Sequence, residues 1–161
     1  MPKKKKSGDV VSVGLVQMSC EQKPETNLKK AIAGINNAAK RGAKIVCLQE
    51  LFRSQYFCQT EDIELFKLAE TIPGPSTDAL CKVARQKDVV IVASLFEKRA
   101  AGVYHNTAVM IDASGKIVGK YLSPFLASLG VTDLHPSEEE DVLRIEIDAA
   151  AAHEVNWPSR K

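Results

Sequence analysis

A chain of 161 residues, 45% hydrophobic and 26% charged, has the size and make-up of one soluble globular domain able to bury a core. Its net charge of +2 is more than accounted for by Lys3, Lys4, Lys5 and Lys6, so the remainder is slightly acidic and no nucleic-acid partner is expected. No stretch approaches the ~18 consecutive apolar residues of a membrane span, and no apolar segment follows the lysines as in a secretion signal, so no membrane association is expected.

In chain order, residues 1–8 are a basic tail, read as a solvated, disordered terminus; a localisation signal or a membrane-surface patch is the alternative. Residues 10–18 are apolar and β-rich, a buried first strand. Over 27–41, Leu28, Ala31, Ile32, Ile35, Ala38 and Ala39 recur at helical spacing, and Gly42 stands where a helix C-terminal glycine belongs. Residues 43–48 are a second strand, and the crossover between the two is long enough for parallel pairing.

Residues 62–70 carry a weaker helical signal. The turn PGPST follows at 73–77, with Ser76 or Thr77 able to cap a helix running to about residue 87 with Leu80, Val83 and Ala84 inward. VVIVAS at 89–94 is a third buried strand. Segments 104–111 and 116–121 flank Asp112-Ala113-Ser114-Gly115, a hairpin signal. This order predicts an α/β fold, a mixed sheet with flanking helices. In such sheets, sites form outside the carboxyl ends of the strands.

The cysteines Cys20, Cys47, Cys58 and Cys81 lie far apart, with no CxxC pair and no clustered histidines. No metal and no cofactor are expected. The thiols read as reduced, in a cytoplasmic protein, with Cys47 packed in the core.

Within IVCLQELFRSQY, residues 45–56, a carboxylate stands just past a buried strand: Glu50, followed by Leu51, Phe52, Tyr56 and Phe57. One reading is a glutamate opening a surface loop. The other is a carboxylate wrapped in apolar groups, a better proton acceptor near neutral pH because desolvation disfavours its charge. Tyr56 and Phe57 either line a substrate pocket or pack as core.

Several blocks carry a resemblance: LQELFRSQYFCQTED, GLVQMSC, NLKKAIAGINNAAKRGAKIV, AETIPGPSTDAL, VVIVASLFEKR and YHNTAVMIDASGKIVGKY. Together they resemble the nitrilase superfamily of carbon–nitrogen hydrolases, over about residues 9–121, and are especially similar to its N-carbamoylputrescine amidase branch. The resemblance implies a four-layer αββα sandwich of which this chain holds a part. It implies hydrolysis of a linear amide or ureide, in the polyamine-synthesis setting of that branch. It also implies a glutamate that deprotonates a cysteine, a thiolate that attacks the carbonyl, and a lysine that stabilises the oxyanion. Each role makes physical sense, since a cysteine near neutral pH is mostly thiol and needs a base, and developing oxyanion charge needs a fixed donor. Glu50 maps onto the base, and Tyr56 and Phe57 onto the pocket wall.

The likeness then stops. Where the family continues after Gly119-Lys120-Tyr121 with arginine and the catalytic lysine, this chain reads Leu122-Ser123-Pro124-Phe125. Lys120 corresponds to the earlier, non-catalytic lysine of that motif. The nucleophilic cysteine belongs further on, and no cysteine follows Cys81. The expectation is a catalytically incompetent chain, with a non-catalytic binding or regulatory subunit, or a product without a role, as alternatives. Residues 122–161 are a divergent segment in which VLRIEID, a short helix and Trp157-Pro158 resemble the family's C-terminal end, as if the middle were removed. His135 and His153 there have no evident partners. An uncovered apolar sheet face would follow, so a homo-oligomer or association with a related subunit is expected.

Overall fold

The computed structural model describes residues 11–57 and 62–123. The basic tail, Cys58, both C-terminal histidines and the expected closing strand lie outside the described residues. So does the divergent segment, apart from its first two positions, which continue the last strand.

The elements follow in the order β1 (Val13–Val16), α1 (Pro24–Lys40), β2 (Ile45–Leu48), a 3-10 helix (Ile63–Leu68), α2 (Pro75–Lys87), β3 (Val90–Ala100), β4 (Val103–Ile111) and β5 (Ile117–Ser123). One mixed sheet holds the strands in the order β1-β2-β3-β4-β5. β1, β2 and β3 run parallel, joined by helical crossovers, and β4 and β5 add antiparallel hairpin strands.

Local chemistry sets the boundaries. α1 begins three residues before the expected stretch 27–41, because Pro24 is preorganised for a first helical turn and Glu25 meets the positive end of the helix dipole. It ends at Lys40, and Gly42, two residues on, turns the chain away with a φ of +90° that suits glycine. The weak helix at 62–70 is a 3-10 helix, capped where the Asp62 carboxylate accepts the Glu64 N–H at 2.9 Å. α2 starts at Pro75, so Ser76 and Thr77 sit inside its first turn rather than before it. Thr77 still secures that end by reaching back: its hydroxyl takes the Gly74 N–H at 2.8 Å and donates to the Gly74 carbonyl at 2.9 Å. β3 runs to Ala100, well past the apolar run, because β4 pairs with its charged end as far as Ala100.

Both α-helices pack on one face of the sheet. Ala31 and Ile35 of α1 and Leu80, Val83 and Ala84 of α2 close over Val46, Ile91, Ala93, Leu95, Val109 and Ile111. Each Leu- or Ile-sized side chain so buried contributes roughly 1.5–3 kcal/mol. α1 rides close to β1, since a Cβ on Gly14 would stand 2.7 Å from that of Ala38.

The register puts Val13, Leu15, Ile45, Cys47, Val92, Ala108 and Tyr121 on the opposite face. Leu15 there is 80% exposed and Val13 54%. Near the carboxyl ends of β2 and β3, a second cluster joins Leu51, Phe57 and Phe96 to Phe66 and Tyr104.

Candidate functional site

β2 ends at Leu48, and Gln49 turns back across the neighbouring loop. Its amide oxygen accepts the Met18 N–H at 2.7 Å, and its amide nitrogen donates to the Cys20 sulfur at 3.2 Å. The Cys20 thiol in turn donates to the Phe52 carbonyl at 3.3 Å. Asn27, fully buried at the start of α1, pins the same loop from behind, donating to the Arg53 carbonyl at 2.9 Å and the Glu21 carbonyl at 2.8 Å. Arg53 then pairs with Glu70 at 2.8 Å. The loop that carries Glu50 is therefore held on both sides by hydrogen bonds, from Gln49 to Met18 and Cys20 and from Asn27 to the Arg53 carbonyl.

Glu50 itself is exposed. The apolar residues that follow it do not wrap it. Leu51 and Phe57 turn into the aromatic cluster and Phe52 into the main core, each at most 8% exposed. The turn that separates the acid from these side chains carries the chain through a left-handed conformation at Leu51, with φ of 48°. Such a conformation costs a branched residue about 1 kcal/mol or more and persists only where the surroundings impose it. Here burial of the Leu51 side chain and a hydrogen bond from its N–H to the Ser94 hydroxyl oxygen, at 3.2 Å, impose it.

The partner of Glu50 comes from the antiparallel half of the sheet. Asn106 on β4 donates from Nδ2 to the carboxylate Oε1 at 2.5 Å, and its own Oδ1 accepts from the Ser94 hydroxyl at 2.7 Å. Register brings this about, because Ser94 and Asn106 lie on the face opposite the α-helices, just beyond the point where β2 stops.

Among the described residues, no ammonium, guanidinium or thiol makes an ion pair or hydrogen bond with Glu50. Lys120 turns to the helix-covered face and pairs with Glu97. Burial pushes the Cys20 thiol up, against the opposing pull of the Lys30 ammonium, and burial also raises Cys47. Among the described residues, no group of three or more His, Cys, Asp or Glu side chains is arranged to hold a metal. No helix there is long and apolar enough to cross a membrane.

The two aromatic candidates part company. Tyr56 is 60% exposed beside the loop. Phe57 is buried against Phe96, ring centroids 4.8 Å apart, in a cluster that continues through Phe66 and Tyr104. Sequence reasoning did not single out Gln49, Ser94 or Asn106. The available signal was polarity out of place, since Ser94 and Asn106 interrupt apolar strands on one face.

Residues 12–122 match the carbon–nitrogen hydrolase family. The chain is 39% identical over 116 residues to N-carbamoylputrescine amidase of Oryza sativa subsp. japonica, covering 71% of this chain and 38% of that protein. It is 38% identical over 112 residues to citrullinase of Francisella tularensis, covering 69% and 39%. The crystal structure of a carbon–nitrogen hydrolase from Helicobacter pylori G27 superposes with a TM-score of 0.66 at 33% identity, over 70% of this chain and 39% of that one. The chain thus spans well under half the length of these relatives.

Proposed function

Because the chain belongs to the carbon–nitrogen hydrolase family, we propose that it keeps the proton-accepting part of that family's site and does not itself complete hydrolysis. Glu50 is the general base of the lineage, directed at a linear amide or ureide. The nucleophilic thiol and the oxyanion-stabilising ammonium are not supplied by these residues. One observation carries the reading: the Glu50 carboxylate stands exposed at the carboxyl end of β2, oriented by Asn106, with neither a thiol nor a cation bonded to it among the described residues. A carboxylate so placed can accept a proton, but without an activated sulfur there is no covalent step to serve. The similarity to N-carbamoylputrescine amidases supports the substrate class, and Tyr56, exposed beside the loop, is the candidate pocket residue. A cytoplasmic setting belongs to the same reading, supported by the free thiols of Cys20, Cys47 and Cys81.

A second reading is favoured by the sheet face that carries Leu15: a non-catalytic subunit that associates with a second copy or with an intact relative. The test of the first reading is direct. The purified chain is incubated with N-carbamoylputrescine and ammonia is followed, alongside Glu50→Gln. Both are expected to stay at background. Ammonia release that disappears in Glu50→Gln would mean that other groups replace the missing pair, and would overturn the proposal.

A further inference from the structure

We infer that Asn106, itself oriented by Ser94, is a positioning residue for Glu50: it occupies Oε1 and leaves Oε2 as the oxygen that takes up a proton. The inference rests on Glu50 being the base of the site and adds which of its atoms acts and what holds it there.

The argument is one of donors and acceptors. A backbone N–H can only donate, so the contact from Leu51 to Ser94 at 3.2 Å uses a lone pair of the serine oxygen. The single hydroxyl proton of Ser94 is then free to point at Asn106 Oδ1, 2.7 Å away. That fixes the amide with its oxygen toward Ser94 and its nitrogen toward Glu50, where Nδ2 meets Oε1 at 2.5 Å. The reversed amide would set its oxygen against the carboxylate and leave the serine proton without an acceptor. The three bonds therefore run in one direction, from the Leu51 N–H through Ser94 and Asn106 to Glu50. They couple the strained residue next to the acid to the orientation of the acid itself. A bond to an ionised acceptor is about twice as strong as a neutral one, so the last link holds the carboxylate plane. No described residue bonds to Oε2, so it is the oxygen available to a proton donor.

The test reads the relay spectroscopically in the 161-residue chain. The two Asn106 Nδ2 protons are followed by NMR, together with exchange of the Leu51 amide. One Nδ2 proton is expected well downfield of the other, and Glu50→Gln, an isosteric change at an exposed site that keeps an acceptor but removes its charge, is expected to reduce that displacement clearly. In Ser94→Ala the Leu51 amide is expected to exchange roughly fivefold faster, the loss of one ordinary hydrogen bond, and the separation of the Asn106 signals is expected to fall toward that of a solvent-exposed asparagine. Ser94→Thr, which keeps the hydroxyl, is expected to restore both. Asn106 protons indifferent to Glu50→Gln, or a Ser94→Ala spectrum matching the parent at both positions, would overturn the relay. Turnover does not enter this readout. Ammonia release would sink the incomplete-site reading and leave the relay standing, and a failed relay would leave the ammonia assay intact.

Discussion

The Lys120 ammonium on β5 closes on the Glu97 carboxylate of β3, across the intervening strand β4. Glu97 is only 2% exposed, and its second oxygen accepts from the Thr107 hydroxyl at 2.7 Å. The lysine that sequence reasoning set aside as non-catalytic thus has a structural role, because it neutralises a buried acid and ties the last three strands together. Removing one member of such a pair leaves a charge without compensation, which costs more than losing the pair. Lys120→Met is expected to lower stability by about 3 kcal/mol in urea unfolding. The double variant Glu97→Gln with Lys120→Met is expected to be more stable than Lys120→Met alone. A double variant as unstable as the single one would show that the buried charge is not the cause.

An ionised aspartate braces the hairpin turn between β4 and β5, alongside the backbone bonds that close it. Asp112 accepts the Lys116 N–H at 2.9 Å and the Ser114 hydroxyl at 2.7 Å, and the Lys116 bond is the main reason its carboxyl is held below the usual value of 3.8. A group whose folded value is depressed contributes stability that is present above its unfolded value and disappears as pH falls through the folded one. The parent is therefore expected to be more stable than Asp112→Asn at neutral pH, with the gap closing as pH drops below the carboxylate range. Thermal melts of both proteins between pH 7 and pH 2 check this, and a gap that stays constant would contradict it.

None of the three described thiols is primed to attack. Burial is the leading cause that raises Cys20, Cys47 and Cys81, and the carboxylates of Asp78 and Asp112 push Cys81 further. Since the thiolate is the reactive form, iodoacetamide at pH 7 is expected to label these positions more slowly in the folded chain than in urea. Labelling is expected to speed up as pH rises past 9. Peptide-resolved mass spectrometry distinguishes the sites, and equal rates folded and unfolded would point to an activated thiol that the geometry does not explain.

The sheet face opposite the α-helices presents Val13, Leu15 and Tyr121, at 54%, 80% and 47% exposure. Covering Leu15 alone would gain roughly 1.5 kcal/mol or more, and exposed apolar surface of this kind favours association. The chain is expected to elute larger than its 17.6 kDa, with Leu15→Lys shifting it toward that mass. A sharp 17.6 kDa peak for the parent would remove the case for association through this face.

Much of this was legible in advance because it is local. Apolar spacing marked α1 and the strands, and Asp112-Ala113-Ser114-Gly115 marked the β4–β5 turn. Less legible was the extension of β3 through Glu97, Lys98 and Arg99, where charge hides a strand that its partner supports. The apolar neighbours of Glu50 misled for a related reason. Composition cannot say which way side chains point, and the turn at Leu51 sends them into the core while the acid stays outside.

By itself the sequence determined the order of elements, the family likeness and the place of Glu50 at the end of a parallel strand, since these follow from periodicity, turn chemistry and motif order along the chain. Only the tertiary structure decided that Asn106 holds Glu50, that Lys120 belongs to Glu97, and that the acid is exposed. Residues 50 and 106 meet because the strands settle into one register, and register is set by which faces are buried, a property of the packed sheet rather than of any one segment.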